Sequence, residues 1–182
     1  MTKRGLLASM LSGLALAATA HAQVDQENLD DYGTGIIKDY ANLRSTDTIE
    51  WVWIAPGVKL KEHRYEVKPV DNLTSYDDED MEDMIDSGLA RTMKRISERN
   101  AAGTLLQITP AVYWAERGNA NKLWVPYSGG HLAQAGVGLE LVIIDDTGKE
   151  VAKFRHSGRE GYQLRDAAEE VIDDLRKYIS AH

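Results

Sequence analysis

The sequence predicts an α+β domain, an α/β two-layer sandwich in which one mostly antiparallel twisted sheet carries two main helices packed on one face. Period-two segments rich in β-branched and aromatic residues are interleaved with two longer segments of helical period. Each helical segment is apolar on one side only, so each needs a sheet face to cover. A length of 182 residues with 43% hydrophobic and 27% charged composition suits a single domain around one core.

The elements follow in chain order. Lys3 and Arg4, the apolar run from Leu6 to Ala18 and the small-x-small site Ala20-His21-Ala22 have the pattern of a secretory signal peptide over residues 1–22. The apolar run falls short of the ~20 residues that cross a bilayer. Cleavage near Ala22 is expected to leave a soluble protein, periplasmic in the first place and secreted as the alternative. Residues 23–34 are acidic and lack apolar periodicity, so they read as a flexible start, and residues 35–182 form the single domain. From Gly35, GIIKDYANL sets Ile36, Ile37, Tyr40 and Leu43 at helical spacing and predicts two helical turns.

Ile49 to Ile54 is a predicted strand closed by Pro56-Gly57. Arg64 to Val70 alternates Tyr65 and Val67 against Arg64, Glu66 and Lys68, and Pro69 places its end at a sheet edge or exit. Asp77 to Asn100 is the longest predicted helix, its apolar face built by Met81, Met84, Ile85, Leu89, Met93 and Ile96. Acidic residues fill its first turns and Arg91, Lys94, Arg95 and Arg99 its last, which suits both ends of the helix dipole.

Leu105 to Trp114 is a strand with Leu106, Ile108, Val112 and Trp114 on one face, in which Pro110 demands a bulge or an edge position. Arg117 to Gln134 is a long loop. Ala135 to Ile144 is a strand with Val137, Leu139, Leu141 and Ile143 inward, and Asp145-Asp146-Thr147-Gly148 turns the chain into a return strand from Glu150 to His156. Leu164 to Ser180 closes the domain with the stripe Leu164, Ala168, Val171, Ile172, Leu175 and Ile179.

Composition narrows the chemistry. With no cysteine, the chain can hold no disulfide, thiolate nucleophile, cysteine zinc site or iron–sulfur cluster, nor the lipid of a bacterial lipoprotein. A formal charge of −8 repels phosphate backbones, so nucleic acid is not an expected partner. No catalytic residues, cofactor or metal site are predicted. The cluster from Asp77 to Asp86 has helical spacing and lacks the glycine a calcium loop needs for its sharp turn, so it reads as a helix start. The histidines stand in no metal-binding spacing. Ser157 beside His156 lies in no nucleophile elbow, and the two read as exposed polar residues. Gly136 and Gly138 lie inside a strand rather than before a helix, which removes the basis for a phosphate cradle. The stripe of Trp51, Trp53 and Trp114 reads as core.

One loop stands out as a contact surface for a partner: Trp124, Tyr127, Gly129, Gly130 and His131 combine large aromatic area with a tight turn. The alternative is a small ligand-binding protein or hydrolase whose pocket gathers His131, Glu116 and Asp145 from separate loops. Homo-oligomerisation through edge strands is a third reading, against which Pro69 and Pro110 act by blunting edges.

GIIKDYANL, WVWIAPGVKLKEHRYEVKPV and the late hairpin VGLELVIIDDTGKEVAKF, with Asp39, Tyr40, Leu43, Pro56, Pro69, Asp145 and Gly148 at its fixed points, together resemble the bacterial envelope family known as domain of unknown function 3313. The resemblance covers residue 35 to the C-terminus. It implies one α/β domain in the periplasm or on the inner face of the outer membrane and transfers no catalytic residue. Members often carry a lipid-bearing cysteine, which this chain lacks, so the resemblance implies a soluble form here. Sequence and resemblance together predict a non-enzymatic binding or assembly module of the cell envelope, with an envelope protein or a small ligand as partner.

Overall fold

The computed structural model describes residue 33 and residues 35–119 and 133–182. The strands are β1 (Trp51–Ile54), β2 (Arg64–Val67), β3 (Asp71–Asn72), β4 (Leu105–Glu116), β5 (Ala135–Ile144) and β6 (Glu150–Glu160), and the helices are α1 (Glu79–Arg99) and α2 (Leu164–Ala181). The expected leader and the loop residues Trp124, Tyr127, Gly129, Gly130 and His131 lie outside the described residues.

One six-stranded sheet runs β1-β6-β5-β4-β2, with β3 also beside β4. β4, β5 and β6 form an antiparallel meander to which β1 adds antiparallel. The β5–β6 turn uses the predicted chemistry: Gly148 has φ 80°, and Asp145 Oδ1 accepts from Thr147 N, Thr147 Oγ1 and Lys149 N at 2.9, 2.6 and 3.0 Å. β2 and β3 pair parallel to β4, which makes the sheet mixed. The helix between them explains the direction, since a parallel neighbour needs a crossover and α1 supplies it.

The core fills one side of the sheet. Val137, Leu139, Leu141 and Ile143 of β5, with Ile108 of β4 and Phe154 of β6, lie in one buried cluster with Met81, Ile85, Leu89 and Met93 of α1 and Val171, Leu175 and Ile179 of α2. Asp78 caps α1 by accepting from Met81 N. The helices meet closely at Gly88, where a Cβ would stand 2.8 Å from Ile172 Cγ2.

Several local expectations are corrected. Residues 35–43 form bends and a turn, not a helix, because their polar groups are drawn into contacts with the sheet. Pro110 sits in an interior strand, at neither an edge nor a bulge. Its other neighbour is interrupted instead, for β2 ends opposite Ile108 and β3 begins opposite Ala111, with Pro69 in the gap. The Val70 N–H in that gap donates to Asp86 Oδ1 at 2.8 Å. The β-bulge falls later, between Val112 and Trp114, and it turns Trp114 away from the core face that Leu106, Ile108 and Val112 share. Trp51, Trp53 and Trp114 are therefore half-buried residues outside the core cluster. His156 is buried rather than exposed. Its ring bridges Glu50 N at 3.3 Å and Asp174 Oδ2 at 3.4 Å, while Ser157 Oγ bonds Glu50.

Candidate functional site

The sheet face away from the helices carries the densest polar and aromatic chemistry of the described residues. Strand alternation puts Gly136, Gly138, Glu140 and Val142 of β5 on that face, opposite Arg159, Ser157, Arg155 and Lys153 of β6. Trp51 and Trp53 of β1 pair in turn with Arg155 and Lys153. Glycine at 136 and 138 leaves room for rings: a Cβ at Gly138 would lie 2.5 Å from the Tyr113 ring, and one at Gly136 would collide with Trp114.

At the centre Glu140 is fully buried and Arg155 is 3% exposed. Arg155 Nη1 donates to Glu140 Oε1 at 2.5 Å, Tyr40 OH donates to the same oxygen at 2.7 Å, and Ile37 N donates to Oε2 at 2.9 Å. The other guanidinium arm donates to Gly33 O at 3.0 Å. The guanidinium carbon stands 3.6 Å from the Tyr113 ring centroid and 5.6 Å from that of Tyr40. Two further cation–aromatic contacts flank it, Lys153 over Trp53 at 5.3 Å and Arg159 over Trp114 at 4.6 Å. Lys153 Nζ also donates to Asp39 O at 3.0 Å, and Arg159 Nη2 to Glu116 Oε2 at 2.8 Å.

Gly33 and residues 35–44 thus lie over this face as a strap, held largely through main-chain groups. Gly35 is required there, since a Cβ would collide with the Glu140 carboxylate. Burial, reinforced by the hydrogen bond to Glu140, pushes the Tyr40 phenol up to about 12. Burial likewise raises Tyr113, against the opposing Arg155 charge. Both oxygens of Glu140 are occupied, so the arrangement works as a clasp rather than as an acid or base.

The structure places the other expected residues apart. Glu116 pairs with Gly136 at the start of β5, whereas Asp145 lies in the turn beyond its other end. At ~3.4 Å per residue the strand separates them by about 30 Å, so these two do not share a pocket. The cluster from Asp77 to Asp86 serves the fold: Asp78 caps α1, Glu82 accepts from Asn72 Nδ2, and Asp86 holds Val70 N. Among the described residues no group of three or more His, Asp and Glu side chains is placed to hold a metal ion. No described helix is long and apolar enough to cross a membrane. A groove of about 480 Å³ beside α2 is lined by Glu160, Gly161, Asp166, Glu169, Glu170 and Asp173; burial leads the causes that raise the Glu170 carboxyl, with Glu160 next.

Sequence reasoning missed Glu140, Arg155 and Tyr40 as one unit. The available signal was Glu140, the one charge inside the apolar strand β5, which in a sheet interior requires a partner.

No family model matches the chain, and no curated protein matches it. Among solved structures, it is similar to a dodecameric single-substitution variant of PelC from Paraburkholderia phytofirmans, with 16% identity and a TM-score of 0.42 over 71% of this chain and 92% of that one. It is also similar to a PelC dodecamer from the same organism, with 15% identity and a TM-score of 0.46 over 72% of this chain and 96% of that one.

Proposed function

We propose that the chain is an exported, non-enzymatic binding module of the bacterial cell envelope that holds a polypeptide partner against the helix-free face of its sheet. The observation that carries this reading is the pair of cation–aromatic contacts that flank the buried Arg155 on that face, Lys153 with half-buried Trp53 and Arg159 with half-buried Trp114. Paired aromatic and arginine side chains are the groups that dominate docking energetics. The same face already clasps the strap through main-chain groups, Ile37 N, Gly33 O and Asp39 O. A surface that recognises backbone is suited to peptide rather than to nucleic acid.

The leader pattern supports a periplasmic location after removal of residues 1–22, with secretion as the alternative. The likeness of three sequence stretches to the domain 3313 family supports the envelope setting. By residue type alone, the aromatic pair Trp124 and Tyr127, with Gly129, Gly130 and His131, is a second candidate for partner contact. The test is affinity capture from periplasmic and outer-membrane extracts with the wild type, with Trp53→Ala/Trp114→Ala and with Trp124→Ala/Tyr127→Ala. A defined envelope protein held by the wild type and lost with the first pair supports the sheet face. Equal recovery with both pairs of alanines refutes the reading.

A further inference from the structure

We infer that the outer face of α1 is a self-complementary docking surface for a second copy of the chain. The inference rests on the arrangement of α1 and goes beyond the binding face proposed above. The helix buries Met81, Ile85, Leu89, Thr92, Met93 and Ile96, and the opposite stripe, with Asp80, Asp83, Ser87, Arg91 and Lys94, is exposed. At 100° per residue those five positions fall within about 40° of one line centred on Ser87.

Within seven residues of Ser87, the charges on that stripe are arranged symmetrically about it with opposite sign. Asp83 and Arg91 are each four residues from it, and Asp80 and Lys94 are each seven. The next ring outward repeats the rule, with Glu79 and Arg95 each eight residues away and both exposed. A two-fold axis beside Ser87 lays two α1 helices antiparallel. Asp80 and Asp83 of each copy then face the stretch holding Arg91 and Lys94 of the other. A parallel or unrelated approach sets like charge against like. The dipole favours acid at the start and base at the end of any helix, but it does not demand matched offsets on the solvent stripe. None of these six side chains has an ion pair or side-chain hydrogen bond within the described chain. Ser87 and Ala90, both small and exposed, leave the middle of the stripe open to close approach.

Exposed ion pairs contribute little singly and are screened by salt, so the dimer is weak and salt-dependent. The experiment is sedimentation velocity on the full chain at 20 and 500 mM salt across 5–500 μM. The variants are Asp80→Lys/Asp83→Lys and Arg91→Glu/Lys94→Glu, each checked for native circular dichroism. The wild type is expected to dimerise at low salt and to lose at least tenfold in affinity at high salt. Each variant alone is expected to remain monomeric, and an equimolar mixture of the two to recover the dimer, because the reversals are mutually complementary. The absence of cysteine allows a second test that leaves the six matched charges intact: Ser87→Cys should form a disulfide dimer under mild oxidation, and Glu98→Cys, on the same stripe but far from the axis, should not. A monomeric wild type at low salt and 500 μM, a mixture that fails to associate, or equal cross-linking at both positions overturns the inference.

Discussion

Replacing Glu140 by glutamine tests whether the strap is held by charge. The substitution keeps the shape and one acceptor oxygen but leaves the Arg155 guanidinium, 3% exposed, without a counter-ion. Removing one member of a buried pair costs about 3–5 kcal/mol. The amide oxygen still accepts from Tyr40 or Ile37, which lowers the expected loss to about 2–4 kcal/mol. With a urea dependence of about 2 kcal/mol per molar, the midpoint should fall by about 1–2 M. Urea unfolding followed by circular dichroism at 222 nm reads this directly. The Ile37 amide, which donates to Glu140 Oε2, should also lose protection from hydrogen exchange before the β5 amides do. Glu140→Leu/Arg155→Met removes both charges and should recover at least half of the single-variant loss, because it leaves no unpaired ion. A Glu140→Gln protein within about 0.5 kcal/mol of wild type, a shift expected for an ordinary surface change, would refute the clasp.

Other expectations follow from the same geometry. Gly138→Ala drives a methyl into the Tyr113 ring and should cost about 1–3 kcal/mol in the same assay. Asp86→Ala leaves the Val70 N–H without its acceptor and should cost about 1–2 kcal/mol, with faster exchange of that amide. The phenol of Tyr40 is raised from its ordinary value of 10.0 to about 12. Folding therefore favours its neutral form, and the stability this contributes is complete below pH 10 and lost as pH rises from 10 through 12. Absorbance titration at 295 nm should show Tyr40, Tyr65, Tyr113 and Tyr178 ionising late in the folded protein. All eight tyrosines should ionise together near pH 10 in urea. Tyr40→Phe should remove one late phenol.

The layers of the fold were legible because they rest on periodicity. Val137 to Ile143 and Leu164 to Ile179 each show one apolar face at the period of their element, and both elements lie where that pattern put them. The strap was not legible, since Ile36, Ile37, Tyr40 and Leu43 have helical spacing. Their conformation is fixed by Glu140, about 100 residues away in sequence, and no local pattern carries that information. Trp114 failed for a related reason: one bulged residue exchanges the faces of everything beyond it. The parallel pairing of β2 with β4 was implicit in the order strand, helix, strand. The direct pairing of Arg155 with Glu140 needed the β5–β6 register. The loop from Trp124 to His131 lies outside the described residues, and its candidacy for partner contact rests on residue type alone.

Photo-crosslinking in living cells gives the most direct test of the helix-free sheet face as the binding face. A benzophenone amino acid is placed at Trp53, at Trp114 and, for comparison, at exposed Lys61. The binding reading predicts one discrete adduct of the same partner from both tryptophan positions and none from position 61. The same adduct from all three positions, or none from Trp53 and Trp114, would contradict it.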